Sequence, residues 1–218
     1  MLDLSGSLSP VGRAALLQPD SCLLLVVDMQ NDFCHEDGAK AAMGRGTESA
    51  RAILPNICAL LQAAGAAGVP RVLAKVEHSR YTDDRAWVER RLTTGSAERV
   101  ARAGTWGAEL YGIDSGDADF VVTKHRNSVF AFTPFPLVLR ATEARAVVIA
   151  GVQTDVCVHA SARDAVQSGV VPVVVSDATA TEEQAAHEAA LRDIAGHMGY
   201  AATTAELLAL WSSKEGTR

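Results

Sequence analysis

Short apolar runs rich in β-branched residues alternate along this chain with longer Ala/Leu-rich stretches whose apolar positions recur at helical spacing. That is the pattern of strands and helices taking turns around a parallel sheet. The run CLLLVV at 22–27 is apolar without interruption, as a strand buried on both faces requires, and it leads into Asp28. A helix is predicted over 47–67, its end marked by Gly65 and Gly68, and a second strand over 71–76 after Pro70. A short helix is expected over 84–92. The Gly-punctuated region that follows, to about Asp117 and including Trp106, has little periodicity and is long for a plain connection, which predicts a functional covering loop. A third strand over 120–123 delivers Lys124, a short helix follows over 136–142, and a fourth strand over 146–150 runs into Gly151. The remainder reads as a helix over 155–168 closed by Gly169, a strand over 170–175, a helix over 182–197, a short strand over 200–203 and a last helix over 205–211. No repeat, low-complexity tract or linker divides the chain. One doubly wound α/β domain over 21–218 is predicted, preceded by an N-terminal arm over 1–20.

Composition narrows the function without naming it. Hydrophobic residues make up 48% and charged residues 21%, ordinary for a globular protein. A net charge of −6 and the lack of any Lys/Arg-rich run argue against nucleic acid or an anionic membrane as partner. Apolar stretches such as 22–27 and 146–150 are too short to cross a bilayer, and the first residues lack the basic start and apolar core of a signal peptide, so a cytoplasmic location is the expectation. Of the four cysteines, Cys22 opens a strand, Cys34 falls in a loop and Cys58 lies in a helix; none forms a C-x-x-C pair. Cys157 is different.

In a doubly wound sheet the carboxyl ends of the strands line the ligand crevice. Asp28, Lys124 and Cys157 each stand at or just past such an end. A carboxylate, an ammonium and a thiol converging there make a nucleophilic site with a proton path. Each also has a plain structural reading: Asp28 as the cap of a turn, Lys124 as a solvated strand terminus, Cys157 as a small buried hydrophobe. In GVQTDVC, Thr154 is placed to cap a helix beginning at Asp155. Cys157 would then sit in the first turn, where the helix dipole and free N–H groups favour a thiolate and suit an oxyanion.

The segments VVDMQNDF (26–33), VVTKHRNSVF (121–130) and AGVQTDVCVHASARDA (150–165), with SDATA (176–180) and EEQAAHEAAL (182–191), resemble those of the isochorismatase-like cysteine hydrolases. The resemblance extends from residue 21 to the last helix. It implies a six-stranded parallel sheet with helices on both faces, and a homodimer or homotetramer. It also implies a catalytic triad of Asp28, Lys124 and Cys157, and a cis peptide between Val152 and Gln153 that aims the Gln153 N–H, with that of Cys157, at an oxyanion. In the mechanism it implies, Asp28 takes the Cys157 proton, the thiolate attacks a carbonyl, and water then hydrolyses the thioester.

Nicotinamidases of this superfamily carry zinc on an Asp-x-His arrangement and a further histidine after the second strand. Here that stretch is Lys75-Val76-Glu77-His78-Ser79, with Val76 in the Asp position and no second histidine nearby. His78 is therefore read as a pocket-lining or structural residue, and neither a metal nor another cofactor is expected. QNDFCHEDGA, GTWGAEL (104–110) and KHRNSVF are more similar to ureidoacrylate- and biuret-type amidohydrolases, which implies C–N cleavage of a small amide or ureido compound. Asn127 departs from that pattern, standing where an aromatic is expected. The substrate pocket is expected to draw on Phe33, Asn31, His78, Trp106, Arg126, Phe130 and Gln153. Trp106 is read as a residue closing over substrate, Phe130 equally as core, and Arg126 either as a carboxylate clamp or as a structural ion pair. Two other readings stay open: the vinyl-ether-cleaving isochorismatase branch, which needs no cysteine, and a non-catalytic binding protein, whose buried thiol would alkylate slowly. Dinucleotide and P-loop chemistry are argued against, because DMQND rather than a Gly-rich loop follows the first strand.

Overall fold

The computed structural model describes residues 12–93 and 100–212. Six strands form one parallel sheet: β1 (Cys22–Val27), β2 (Arg71–Val76), β3 (Phe120–Lys124), β4 (Ala146–Val152), β5 (Val171–Ala180) and β6 (Tyr200–Ala202). Their order is β3-β2-β1-β4-β5-β6. The chain builds outward from β1 through β2 to β3, returns to lay β4 beside β1, and builds outward again through β5 to β6. Strand order therefore reverses between β1 and β4, which is where a crevice opens in such a sheet.

Strand periodicity sorts the core into two layers. Cys22, Leu24 and Val26 of β1 join one apolar cluster, while Leu23, Leu25 and Val27 join the other. The first cluster is covered by helix Leu54–Ala67, through Ile57, Leu60, Leu61 and Ala64, and by helix Thr204–Ser212, through Leu207 and Trp211. The second is covered by helices Phe135–Ala141, His159–Gln167 and Gln184–His197. Every residue of β1 and of β4 is buried, which is why both read as unbroken apolar runs.

Several boundaries differ from the sequence reading. The helix expected over 47–67 is two, Glu48–Ala52 and Leu54–Ala67, broken at Ile53 ahead of Pro55, whose missing N–H costs nothing in a first turn. By length and composition Glu48–Ala67 matches a membrane span, unlike the shorter runs picked out in the sequence; here its apolar side docks on the sheet. β5 continues through the polar residues Ser176 and Asp177 to Ala180, because a register shift between Ile149 and Gly151 lets Thr179 and Ala180 pair with Gly151 and Val152. Part of the stretch assigned to an N-terminal arm packs on the core: Leu16 and Leu17 are buried, and Trp211 Nε1 donates to the Leu17 carbonyl at 3.0 Å. The first eleven residues of that arm lie outside the described residues.

Gly151 sits at the switch point with φ +107°, and a Cβ there would lie 2.0 Å from the Val27 carbonyl oxygen. Backbone cannot yield as a flexible side chain would, and the dihedral itself is unfavourable for any other residue. Gly151→Ala is expected to destabilise the fold by about 2–4 kcal/mol, read as a lowered denaturant midpoint. A change under about 1 kcal/mol would show that β1 and β4 separate more easily than this contact implies.

Candidate active site

Asp28 is the first residue past β1 and has φ +52°, a left-handed conformation that a non-glycine residue adopts only where its surroundings impose it. Its N–H donates to the Ala74 carbonyl at 2.8 Å, which holds the turn against β2. Lys124 ends β3, in register with Val76, and is fully buried. Its Nζ lies 2.7 Å from Asp28 Oδ2 and donates to Cys157 Sγ at 3.3 Å and to the Arg126 carbonyl at 3.1 Å. Three residues more than thirty positions apart in sequence thus meet around one ammonium. Asp28 Oδ1 is buried without a hydrogen-bond partner among the described residues.

Cys157 does not lie in the first turn of an ordinary α-helix. Thr154–Val158 forms a π-helical turn after the cis peptide between Val152 and Gln153, and the α-helix His159–Gln167 begins only afterwards. Thr154 caps nothing: its hydroxyl pairs with His187 Nδ1 at 2.9 Å. The expected preference for a thiolate is also reversed. Burial, with the Asp28 charge adding to it, pushes the Cys157 thiol up to about 12, and Lys124 only partly opposes this. That shift favours the protonated thiol. Burial likewise raises Asp28 above the ordinary carboxylate value, with Lys124 pulling the other way. For Lys124 burial acts downward, but the Asp28 charge and the hydrogen bonds to Asp28 and Cys157 oppose it and the net shift is upward.

The rest of the D-x-Q-x-D stretch is scaffolding. The Gln30 amide accepts from the Val76 N–H at 2.8 Å and donates to the carbonyls of Val76 and Ala108 at 2.9 and 2.8 Å. Asp32 accepts from the Ala39 and Ala101 N–H groups at 2.9 and 2.6 Å. Both side chains tie the loop after β1 to neighbouring segments and so fix Asp28.

Asp28 and Cys157 share a narrow pocket with Phe33, His78, Arg126 and Gln153, as expected from sequence. About 70 Å³ of it is open to water-sized groups; a single water needs roughly 10–15 Å³ on that measure, so the occupant is small. A wider groove, offering about 530 Å³, adjoins it through Arg45, Arg91, Asn127, Gln153 and Val156. Three expected pocket residues lie elsewhere. Asn31 is drawn away by the Trp106 carbonyl, to which its amide donates at 2.8 Å. Trp106 stands 48% exposed, edge-on to His35 with ring centroids 5.0 Å apart, rather than over the pocket. Phe130 packs edge-on against the buried Phe135 and belongs to the core. Arg126 lines the pocket, but its guanidinium is committed to Asp84 and to the Thr82 and His125 carbonyls. The ion-pair reading of that residue is the one the structure favours.

His78 is buried, stacks on Trp87 at 3.9 Å and bonds Asp83 through Nδ1 at 2.8 Å. Burial lowers its pKa to about 4 despite Asp83, so it is neutral near pH 7. Among the described residues no three His, Cys, Asp or Glu side chains group as a metal site. Lys40, Arg45 and Arg91, which also line the pocket, went unnoticed in the sequence. The one available signal was Lys40, a lone charge in the Ala-rich GAKAA.

The family model for the Isochorismatase domain matches residues 22–206. Ureidoacrylate amidohydrolase RutB of Methylorubrum extorquens is 30% identical over 213 residues, covering 91% of this chain and 86% of the relative. Among solved structures, a cysteine hydrolase from Pseudomonas syringae pv. phaseolicola superposes with a TM-score of 0.78 at 27% identity, over 89% of this chain and 94% of that one. N-carbamoylsarcosine amidase from Thermoplasma acidophilum gives 0.69 at 26%, over 84% and 96%. With its sheet order, its strand-end residues and a family match spanning β1 to the last helix, this chain belongs to the isochorismatase family.

Proposed function

We propose that the protein is a cysteine-dependent amidohydrolase that cleaves a C–N bond of a small amide or ureido compound through a thioester. The observation that carries this reading is the single ammonium of Lys124 bridging Asp28 at 2.7 Å and Cys157 at 3.3 Å beside a small pocket. The ureidoacrylate amidohydrolase and N-carbamoylsarcosine amidase relatives support the same reaction class. Vinyl-ether cleavage would leave the thiol without a task.

Each residue has a step. With the thiol protonated at rest, Asp28 receives its proton as sulfur attacks the substrate carbonyl, and Oδ1, which has no hydrogen-bond partner among the described residues, is the natural acceptor. Lys124 stays cationic throughout and offsets the negative charge that shifts between carboxylate and sulfur. The Gln153 and Cys157 N–H groups are assigned the oxyanion. Asp28 returns the proton to the departing nitrogen, the C–N bond breaks, and the acyl group remains on sulfur. Asp28 then takes a proton from water as that water attacks the thioester; the acyl product leaves and the thiol is restored.

The raised thiol pKa also revises one diagnostic. Slow alkylation of free Cys157 is expected of the enzyme itself, so it does not separate enzyme from binding protein.

Cys157→Ala should lower turnover of amide and ureido compounds by at least about a thousandfold while keeping the thermal midpoint, with products followed by mass spectrometry; retention of a tenth of the activity would rule out covalent catalysis. Because Asp28 works as a base only when ionised, the rate is lost as pH falls through its pKa. That acid limb of kcat/KM should lie above the ordinary value of 3.8, since burial raises the group, and a limb at or below 3.8 would exclude Asp28 as the base. Val76 replaces the Asp of the nicotinamidase arrangement and His78 is already engaged with Asp83, so activity should survive prolonged chelation. Loss on chelation with recovery on added zinc would show the contrary.

A further inference from the structure

The hydrogen bond between His78 and Asp83 decides which face of the imidazole can accept. Nδ1 lies 2.8 Å from Asp83 Oδ1, and Arg102 donates to the other oxygen at 2.7 Å, as it would to a carboxylate. A carboxylate only accepts, so the proton of the neutral ring sits on Nδ1 and Nε2 carries a bare lone pair. Burial lowers the pKa to about 4 despite Asp83, which keeps Nε2 unprotonated near pH 7. The ring lines the pocket that holds Asp28 and Cys157. Nε2 has no hydrogen-bond partner among the described residues, yet it is not sealed in as Asp28 Oδ1 is.

This lone pair is fixed in place. The side chain is 3% exposed and stacks on Trp87 with ring centroids 3.9 Å apart. Its backbone is held on both sides, the N–H by the Ala101 carbonyl at 2.8 Å and the carbonyl by the Ala103 N–H at 3.0 Å. Other polar groups around the pocket offer something different. Lys40, Arg45, Arg91 and Arg126 can only donate. Asp28 is held by Lys124 and is assigned the thiol proton. Asn127 and Gln153 carry amides, which can present either a donor or an acceptor. His78 is thus a rigid acceptor with no donor to offer, and it demands a donor from the ligand.

We propose that His78 Nε2 accepts an N–H from the nitrogen bonded to the carbonyl that Cys157 attacks, so that His78 selects amides and ureas bearing hydrogen on that nitrogen and rejects esters and N,N-disubstituted amides. The departing nitrogen must turn its lone pair towards Asp28 to receive the proton. Holding its N–H on His78 sets that orientation before the C–N bond breaks. This role depends on the amidohydrolase reading for the bond that breaks, but not for the acceptor itself.

The first measurement is the tautomer of His78, by nitrogen-15 NMR of the labelled Cys157→Ala protein, with the His78 signals assigned by their loss in His78→Phe. Nδ1 should carry the proton and Nε2 none. The Nε2 signal should move on addition of N-methylacetamide and stay on addition of methyl acetate, which has the same shape without the N–H. A proton on Nε2 in the free protein, or an equal response or none to the two compounds, overturns the acceptor. Selectivity is then read in protein with Cys157 intact, as the kcat/KM ratio between the amide it cleaves fastest and the matching methyl ester. His78→Phe keeps a flat ring against Trp87 without an acceptor, and the ratio should fall at least about tenfold. A merely structural role would lower both rates together and leave the ratio unmoved. Should His78→Phe fail to fold, Asp83→Asn reads the same ratio: with Arg102 holding the oxygen, the new amide donates to Nδ1 and drives the ring proton to Nε2. An unmoved ratio overturns the selecting role of His78 and leaves the proposed reaction standing. No hydrolysis of any amide or ureido compound, with the NMR response intact, overturns the reaction and leaves the acceptor standing.

Discussion

The buried contact between Lys124 and Asp28 is the constraint on which the rest of the site depends. It joins the edge strand β3 to the central strand β1 across β2, so both charges must be carried into the interior by backbone whose register leaves no choice. Taking two ions out of water costs several kcal/mol apiece, and their attraction repays that only with good geometry. An apolar pair of similar volume would serve stability as well or better. Other features of the site point the same way. Asp28 adopts a left-handed backbone, one of its oxygens lacks a hydrogen-bond partner among the described residues, and the ammonium that steadies it also touches Cys157 beside the pocket. Each is unfavourable for folding alone, and together they are what the proposed proton transfer requires.

A site built on such costs needs a rigid frame, and the loop after β1 supplies it with polar side chains that do no chemistry. Gln30 makes three hydrogen bonds to backbone and Asp32 two, all across to other segments. The D-x-Q-x-D pattern is thus one carboxylate facing Lys124 and two splints. Gly107 fits the same logic, since a Cβ there would stand 2.2 Å from the Asp32 carboxylate. The irregular stretch around Trp106 serves as an anchor for the β1 loop: Asn31 and Gln30 both bond to its carbonyls.

That explains which parts were legible in the sequence. Strands buried on both faces announce themselves, so β1 and β4 were plain, and residues at their ends were placed on one edge of the sheet by topology alone. Asp28, Lys124 and Cys157 were reachable in this way because strand ends converge whatever the loops do. What depends on side-chain competition was not legible. Trp106 and Asn31 are diverted by their hydrogen bonds and ring contacts, Phe130 by Phe135, and the Thr154 hydroxyl by His187, none of which spacing reveals. The extension of β5 through Ser176 and Asp177 needed knowledge of a register shift. Lys40 was missed because a lysine amid alanines normally lies on a solvated face, and only the position of Glu182, 142 residues later, turns it inward.

The protonated thiol bears on how the proposed reaction proceeds. Burial beside Asp28 pushes the Cys157 thiol up, so forming a free thiolate before attack is unfavourable. Transfer of the proton to Asp28 during attack avoids that state, because the charge arising on sulfur passes on to the substrate oxygen while Lys124 remains beside both partners. On this reading a raised thiol pKa also slows the sulfur's reaction with chance electrophiles. Reactivity is then conferred by the substrate carbonyl itself, and a pocket this small restricts which carbonyls can reach the sulfur.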